Sequence, residues 1–150
     1  LLKPWLENYV HNFISEGNLV SDALVLMQRD DELCAFIDPS HLKQILDNLC
    51  QNAMKYGHPE LGPIILRAYL FQQAPCIEVI DNGSGVGAEH VNQLFEPFFT
   101  TSTSGTGLGL YISKELAELN QAKLNYHSSL EHPSYFRLCL LDAEHTLIEI

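Results

Sequence analysis

The chain has 150 residues, of which 46% are hydrophobic, and it carries a net charge of −11 at pH 7. This length and composition favour one globular domain with a buried core and exclude a disordered chain. The negative charge argues against a nucleic-acid-binding protein, which needs a basic surface, but it is compatible with a small anionic ligand such as a nucleotide.

The first third of the chain predicts two helices with strands between them. Apolar residues at helical spacing predict a helix over residues 4–15. Residues 22–29 and 33–37 are predicted to form two short strands around a polar turn. After a turn at residues 38–40, an apolar stripe predicts a long helix over residues 40–56.

The middle of the chain predicts two strands and then a long loop. Residues 63–71 and 75–81 have the composition of paired strands. Residues 82–105 show little regular pattern apart from a short helix predicted over residues 88–94. A loop of this length inside a compact domain is usually functional or mobile.

The last third predicts one helix over residues 106–120 and two final strands over residues 122–128 and 134–141. Several predicted strands follow one another directly, without a helix between them. We therefore predict an α/β two-layer sandwich, in which helices cover one face of a mixed, mostly antiparallel sheet. A doubly wound parallel sheet is disfavoured, because too few strands are separated by helices.

Cysteines and apolar runs add expectations about location. The four cysteines form no CxxC pair and lie among apolar neighbours, so we expect buried, reduced thiols in a cytosolic domain. No apolar run approaches the length of a membrane span. The chain begins with Leu1 rather than Met, and we expect it to be part of a longer protein.

A polar row on the second long helix is the first candidate site. Asn48 and Asn52 are four residues apart and therefore share one helix face, with Lys55 near its end. Amide oxygens are suitable ligands for Mg²⁺, which also shares phosphate oxygens, and a lysine can contact phosphate as a point charge. The alternative interpretation is an ordinary solvated face.

The segment DNGSGVG, residues 81–87, is the second candidate. A strand delivers the Asp81 carboxylate to a loop whose glycines allow close approach of the backbone. Such a carboxylate can accept a hydrogen bond from an exocyclic amine, as on adenine. The alternative is a simple Asp-Asn-Gly turn, which would not require the further glycines Gly85 and Gly87.

The segment GTGLG, residues 105–109, precedes a predicted helix and is the third candidate. Free backbone N–H groups and the helix dipole can bind phosphate at such a helix start. The segment lacks the lysine of a Walker A loop, and its spacing does not match a dinucleotide fingerprint. The alternative is a flexible linker rich in hydroxyl groups.

Four segments in this order resemble one family. QILDNLCQNAMKYG resembles its asparagine box, DNGSGVG its first glycine box, LFEPFF its phenylalanine box and GTGLGL its second glycine box. Over about residues 20–140 the chain thus resembles the ATP-binding catalytic domain of bacterial two-component sensor histidine kinases. Their superfamily includes the gyrase ATPase subunit, a heat-shock chaperone and the MutL repair protein. Within it, FEPFFTT and GTGLGL are similar to nitrogen-regulation and type IV pilus sensor kinases.

The resemblance implies a Bergerat-type fold that binds ATP and Mg²⁺, with roles for individual residues. It implies that Asn52 coordinates Mg²⁺, that Asn48 supports the metal, and that Lys55 contacts phosphate, which makes these three the catalytic set. Tyr56 would pack near the sugar or base, and Asp81 would bind the adenine amino group.

The resemblance also implies a lid over about residues 88–105, anchored by phenylalanines and hinged at Gly105. Ser102 stands where this subgroup often has a lysine, and Gln121-Ala122 replaces a glycine pair. The further implied nucleotide contacts are Gly83, Gly85, Val86, Phe98, Thr101, Ser102, Gly105, Thr106, Gly107, Leu108, Gly109 and Leu110.

By the same resemblance, residues 1–18 are the end of a dimerisation-hairpin helix plus linker, residues 19–141 the catalytic domain and residues 142–150 a tail. The domain would supply the γ-phosphate of ATP for autophosphorylation of a histidine. No H-E/D-x-x-x-P context occurs here, so that histidine is expected on a dimerisation domain of the same parent protein, with a response regulator as the next partner. These expectations place the domain in the cytoplasm and are compatible with a parent protein anchored in the bacterial inner membrane.

Two other classes of protein stay open on the sequence alone. An anti-sigma-type serine protein kinase shares the ATP-binding fold but phosphorylates a protein partner on serine. A non-catalytic module would use nucleotide occupancy to switch a protein interface, and Ser102 in place of lysine is the feature that supports it.

Overall fold

The computed structural model describes residues 1–57, 59–83, 85–86, 89–100, 107–128 and 134–141. Two single turns of 3₁₀ helix occur at Pro59–Leu61 and Val91–Gln93. The predicted tail, residues 142–150, lies outside the described residues. The main elements in chain order are α1 (Leu2–Glu16), β1 (Leu24–Gln28), α2 (Pro39–Tyr56), β2 (Ile64–Phe71), β3 (Ala74–Ile80), α3 (Gly109–Leu119), β4 (Lys123–His127) and β5 (Tyr135–Cys139).

The five strands form one sheet in the order β1-β2-β3-β5-β4. β1 pairs with β2 in parallel, whereas the pairs β2–β3, β3–β5 and β4–β5 are antiparallel. The predicted mixed, mostly antiparallel sheet is therefore confirmed. β3 lies at the centre, so its end delivers Asp81 to the middle of one sheet edge.

The predicted strand over residues 33–37 is wrong. The Leu33 carbonyl accepts a hydrogen bond from the Leu2 N–H, while the Phe36 N–H donates to the Leu141 carbonyl. These backbone groups thus bond to two different parts of the chain, and only an isolated bridge forms at Phe36. The side chains of this segment also differ in burial, since Leu33 is buried whereas Phe36 is 59% exposed.

One hydrophobic core joins the three helices to one face of the sheet. Leu66 and Ala68 on β2 and Ile77 and Val79 on β3 are all buried in it. Because side chains alternate along a strand, the residues between them point to the opposite face. The predicted covering of one face by helices follows from this pattern, and it leaves the outer face to a separate set of side chains.

α2 has a defined start and end, and its apolar side is buried, so its polar side faces away from the core. Asp38 caps its start, since one carboxylate oxygen accepts hydrogen bonds from the backbone N–H groups of Ser40 and His41. The helix ends at Gly57, where an added Cβ would lie 2.5 Å from the Ala53 carbonyl oxygen. Its apolar stripe is buried in the core: Leu42, Ile45, Leu46, Leu49, Cys50 and Ala53.

α1 also packs into this core. Leu2, Leu6 and Tyr9 are buried, and the Tyr9 hydroxyl donates a 2.8 Å hydrogen bond to Asp47 on α2. Whether the chain divides at residue 18, as the resemblance implies, stays a prediction. Within the described ranges, every helix is too short or too polar to span a bilayer.

The outer face of the sheet is organised around Glu78, which has no exposed surface. Its carboxylate accepts hydrogen bonds from Nε of Arg67 at 3.0 Å, from Nε of Arg137 at 2.9 Å and from the Tyr69 hydroxyl. Burial alone would raise the pKa of Glu78, but the bonds from Tyr69, Arg137 and Arg67 lower it below its ordinary value. Glu78 is therefore a satisfied structural carboxylate.

Candidate functional site

A cavity of about 480 Å³ opens between α2, the loop after β3, the start of α3 and the ends of β4 and β5. Most of the residues that the sequence singled out meet there, although they are up to 62 positions apart in the chain. The singled-out residues that line it are Asn48, Asn52, Lys55, Tyr56, Asp81, Gly85, Val86, Gly107, Gly109 and Leu110.

Other singled-out residues are placed differently. Gly83, Phe98 and Leu108 belong to the same loops but do not line the cavity. The remaining four, namely Thr101, Ser102, Gly105 and Thr106, lie outside the described residues, as do parts of the implied lid.

Asn48 ties α2 to the start of α3. Its amide nitrogen donates to the Gly109 carbonyl at 3.1 Å and to the Ser113 hydroxyl at 3.0 Å. Ser113 is fully buried and also donates to the Gly109 carbonyl, at 2.9 Å. Asn48 therefore positions the helix start that borders the cavity, and its carbonyl oxygen is the atom that can face a metal. Asn52, one turn later, is half-buried at the cavity wall.

The loop after β3 is pressed against the end of α2. The Gly83 N–H donates to the Asp81 carboxylate at 2.7 Å, which fixes the orientation of that side chain. A Cβ at Gly83 would lie 2.7 Å from the Tyr56 carbonyl oxygen and 2.9 Å from Asp81 Oδ1. Only glycine fits this approach, so Gly83 shapes the cavity wall without lining it.

The next turn of the same loop is held by β4. Gly85 has a φ of +83°, and the following Val86 N–H donates to the Tyr126 hydroxyl at 2.9 Å. The Tyr126 ring packs on Phe136 with centroids 4.9 Å apart, and both rings line the cavity. This aromatic wall was not predicted, because no local motif marks it and only the pairing of β4 with β5 brings the two rings together.

A backbone hydrogen bond joins Phe98 to Gly107 at the base of the implied lid, and we call this contact the clip. The Phe98 N–H donates to the Gly107 carbonyl at 2.8 Å, and both residues have positive φ angles, +68° and +74°. A Cβ at Gly107 would lie 2.3 Å from the Phe98 carbonyl carbon. The Phe98 side chain is 73% exposed, whereas Phe99 lines the cavity with its ring 5.4 Å from that of His90. The two neighbouring phenylalanines thus have different surroundings.

The cavity has a positive and a negative part. α3 begins at Gly109, which lines the cavity, so the positive end of the helix dipole borders it. Among the described residues that line the cavity, Lys55 is the one Lys or Arg, and its ammonium lies 5.5 Å from the Tyr56 ring centroid. Asp81 provides a carboxylate in the same cavity. An anion and a hydrogen-bond donor of one ligand can therefore be bound together.

Several further residues that line the cavity were given no binding role from the sequence. They come from α2, from loops and from the second wall formed by β4 and β5. These residues are Gln51, His90, Leu94, Thr100, Tyr126, Ser134 and Phe136.

Comparison with known proteins decides the family. The model of the family described as histidine kinase-, DNA gyrase B-, and HSP90-like ATPase matches residues 37–144. The chain belongs to this family. The matched range contains α2, the loop after β3 and the start of α3, so it includes the whole cavity wall described above.

Individual relatives of this ATPase-family chain are sensor kinases. The sensor protein kinase PilS of Pseudomonas aeruginosa is 40% identical over 142 residues, which is 91% of this chain and 26% of PilS. The sensor protein TorS of Escherichia coli is 37% identical over 74% of this chain and 12% of TorS. The chain thus spans about a quarter or less of these relatives.

A solved structure agrees with the fold. The catalytic domain of the histidine kinase ThkA superposes with a TM-score of 0.75 at 25% identity, covering 91% of this chain and 92% of that domain. The predicted resemblance and the predicted α/β fold class are both confirmed. The chain thus spans nearly the whole of that catalytic domain.

Proposed function

We propose that this chain is the ATP-binding catalytic domain of a two-component sensor histidine kinase. In this role it binds ATP with Mg²⁺ and supplies the γ-phosphate to a histidine on the dimerisation domain of its parent protein. The observation that carries the proposal is the convergence of Asn52, Asp81 and the start of α3 on one cavity. The family match and the sensor-kinase relatives support it.

The cavity fits a nucleotide in size and shape. Its volume of about 480 Å³ lies within the usual range of small-molecule sites. The loop after β3 has no room for a side chain at Gly83, and a Cβ at Gly85 would lie 3.1 Å from the Tyr126 hydroxyl. Such closely packed glycines allow a flat ring to lie against the backbone.

The cavity also fits a magnesium ion that is shared with phosphates. The described residues contain no group of three or more His, Cys, Asp or Glu that could enclose a metal. Mg²⁺ is commonly held by one or two protein oxygens together with substrate phosphates, and when bound it neutralises phosphate charge. The amide oxygens of Asn52 and Asn48 are the protein ligands we assign to it.

The other residues take roles that follow from their positions. Asp81, oriented by the Gly83 N–H, accepts a hydrogen bond from the adenine amino group, and Tyr56 packs beside the sugar or base. Lys55 and the first turn of α3 face the phosphates, where positive charge and the helix dipole favour an anion. Phosphoryl transfer depends mainly on positioning and charge neutralisation, so these residues act by holding the reacting group in place.

The remaining nucleotide contacts are proposed from the chain segment in which each residue lies. Gly85 and Val86 border the base, while Gly107, Leu108, Gly109 and Leu110 form the phosphate end. Phe98 anchors the lid through its backbone clip to Gly107. The roles of Thr101, Ser102, Gly105 and Thr106 stay predictions.

The proposal extends to the parent protein. Its dimerisation domain would present the histidine, and a response regulator would receive the phosphoryl group. The domain would work in the cytoplasm, with the parent anchored in the inner membrane. An anti-sigma-type serine kinase or a non-catalytic module is less well supported, because the named relatives are sensor proteins and sensor kinases.

Calorimetric titration with ATP and MgCl₂ tests the site directly. We expect Asn52→Ala to weaken the binding of Mg-ATP while leaving the weak metal-free binding unchanged, because its amide acts through the metal. Asn12→Ala, at an exposed helical asparagine on α1, is the matched control and should bind as the wild type does. Equal loss of affinity with and without Mg²⁺ in Asn52→Ala would contradict the metal assignment.

A further inference from the structure

Two cysteines face each other directly on the outer face of the sheet. Cys76 on β3 and Cys139 on β5 are register partners in the antiparallel pair. The Leu140 N–H donates to the Pro75 carbonyl at 2.8 Å, so the neighbouring register pair is the hydrogen-bonded one. Cys76 and Cys139 therefore occupy a non-hydrogen-bonded pair, in which the Cα atoms lie about 4.5 Å apart and the side chains approach most closely.

The two thiols are already in contact. Their Sγ atoms are 2.7 Å apart, and a Cα separation of about 4.5 Å lies within the range that disulfides adopt without backbone movement. The other two cysteines have different partners or surroundings, since Cys34 donates to the Glu32 carbonyl and Cys50 is buried beneath α1. Among the four cysteines, the contact is thus specific to Cys76 and Cys139.

The two thiols differ in access. Cys76 is fully buried, and burial together with the hydrogen bond to Cys139 raises its pKa, so it stays protonated at neutral pH. Cys139 is half-buried and can be reached from solvent. An incoming oxidant therefore meets Cys139 first, and Cys76 is in position to react second.

We propose that Cys76 and Cys139 form a redox modification site that closes to a cross-strand disulfide on reaction with a hydroperoxide. The Cys139 sulfur attacks one peroxide oxygen as the O–O bond breaks, and the leaving hydroxide takes the proton of the Cys139 thiol, so hydrogen peroxide gives a sulfenic acid and one water. The Cys76 sulfur then attacks the sulfenic sulfur, the S–S bond forms, and the hydroxyl leaves with the Cys76 proton as a second water. Two thiols are oxidised by two electrons and one peroxide is reduced.

The site is independent of the nucleotide cavity. Cys76 and Asp81 are five positions apart in extended chain, which is about 16 Å at the usual strand rise. Closure of the disulfide joins β3 to β5 at the end of the sheet remote from Asp81 and closes a loop of 63 residues. It therefore stabilises the sheet against unfolding without changing any residue that lines the cavity.

Intact mass and peptide mapping of the whole chain test the proposal. After treatment with hydrogen peroxide under native conditions, we expect the wild-type chain to lose two hydrogen atoms and to yield one linked peptide pair containing Cys76 and Cys139. A dithiol reductant should restore the mass. The double variant Cys34→Ser/Cys50→Ser should behave in the same way, and Cys139→Ser should not lose the hydrogen atoms.

The test does not depend on how well a variant folds, because the wild-type result decides it. Addition of oxygen without loss of hydrogen, linkage of another cysteine pair, or a disulfide between two chains would each overturn the proposal. The mapped intramolecular pair should also shift the urea midpoint upward relative to the reduced chain. An unchanged midpoint would contradict the claim that the link stabilises the sheet.

Discussion

Glu78 on β3 and Asp81 just beyond its end are two carboxylates, three positions apart, that have different surroundings. Glu78 points to the outer face, where two arginines and a tyrosine bond to it and no surface is exposed. Asp81 follows the end of the strand, is oriented by a backbone N–H and lines the cavity. The same residue class is thus enclosed by partners in one place and lines a cavity in the other, where we propose that it binds the ligand. Side chains of two arginines and a tyrosine donate the hydrogen bonds to Glu78, whereas the amide of Gly83 in the loop is a donor to Asp81.

Removing the carboxylate on the outer face should have the largest effect on stability. We expect Glu78→Ala to lower the free energy of unfolding by about 3 kcal/mol, because it leaves the Arg137 guanidinium buried without its partner. Urea denaturation measures this, and the affinity for ATP of the folded fraction should stay unchanged. Glu115→Ala, at an exposed position on α3, is the matched control and should change stability by less than about 0.5 kcal/mol. Comparable losses in both variants would refute the structural role of Glu78.

Removing the carboxylate at the cavity should weaken ATP binding rather than lower stability. We expect Asp81→Ala to weaken ATP binding by about 2 kcal/mol, roughly 30-fold, because it removes a charge-assisted hydrogen bond. Calorimetry with Mg-ATP measures this loss, and Asp22→Ala, at an exposed carboxylate, is the control. If Asp81→Ala binds ATP as tightly as Asp22→Ala, the adenine assignment is wrong.

The clip at the lid can be tested through two glycines that lie two positions apart. Gly107→Ala should lower the free energy of unfolding by about 2 kcal/mol, because the residue has a positive φ and its Cβ would overlap the Phe98 backbone. Gly109→Ala should be tolerated, since its Cβ would meet only Asn48 side-chain atoms at 3.7 Å or more. Thermal and urea denaturation compare the two variants. Equal stability of both would show that the clip does not constrain the chain.

Low pH should reduce the stability of the wild type more than that of Glu78→Gln. Because the folded-state pKa of Glu78 is lowered, the stability that its charge contributes is present above the ordinary value of 4.5 and is lost as the pH falls through the lowered folded-state pKa. We therefore expect wild-type stability to fall more steeply below pH 4.5, by at most about 1.4 kcal/mol per pH unit for this one group. Urea denaturation midpoints of both proteins, measured about every half pH unit between pH 3 and pH 7, check this. Parallel curves for the two proteins would contradict the lowered pKa.

The sequence predicted the parts of the site that are local in the chain. The amide face of α2 follows from helical periodicity, and Asp81 follows from a strand that ends in glycines. Both predictions depend on residues within a few positions of one another. The fold class could be predicted for the same reason, since each helix and strand is read from local periodicity and their order along the chain indicates the fold class.

The parts that were missed depend on pairing between distant segments. Tyr126 and Phe136 form a cavity wall only because β4 pairs with β5, and the contact of Cys76 with Cys139 depends on the register between β3 and β5. The expectation of four buried thiols was accordingly too simple, since Cys139 and Cys34 are half-buried. Strand register is not visible in one sequence when hydrophobic alternation is the only signal.

Transfer of phosphate tests the central claim most directly. The chain would be mixed with the histidine-bearing dimerisation domain of its parent protein, γ-labelled ATP and MgCl₂, and the labelled product would be treated with acid and with base. We expect label on the dimerisation domain that is lost in acid and kept in base, as for phosphohistidine, and no label with Asn52→Ala. Acid-stable label on serine, or no transfer although Mg-ATP binds, would contradict the assignment as a histidine kinase domain.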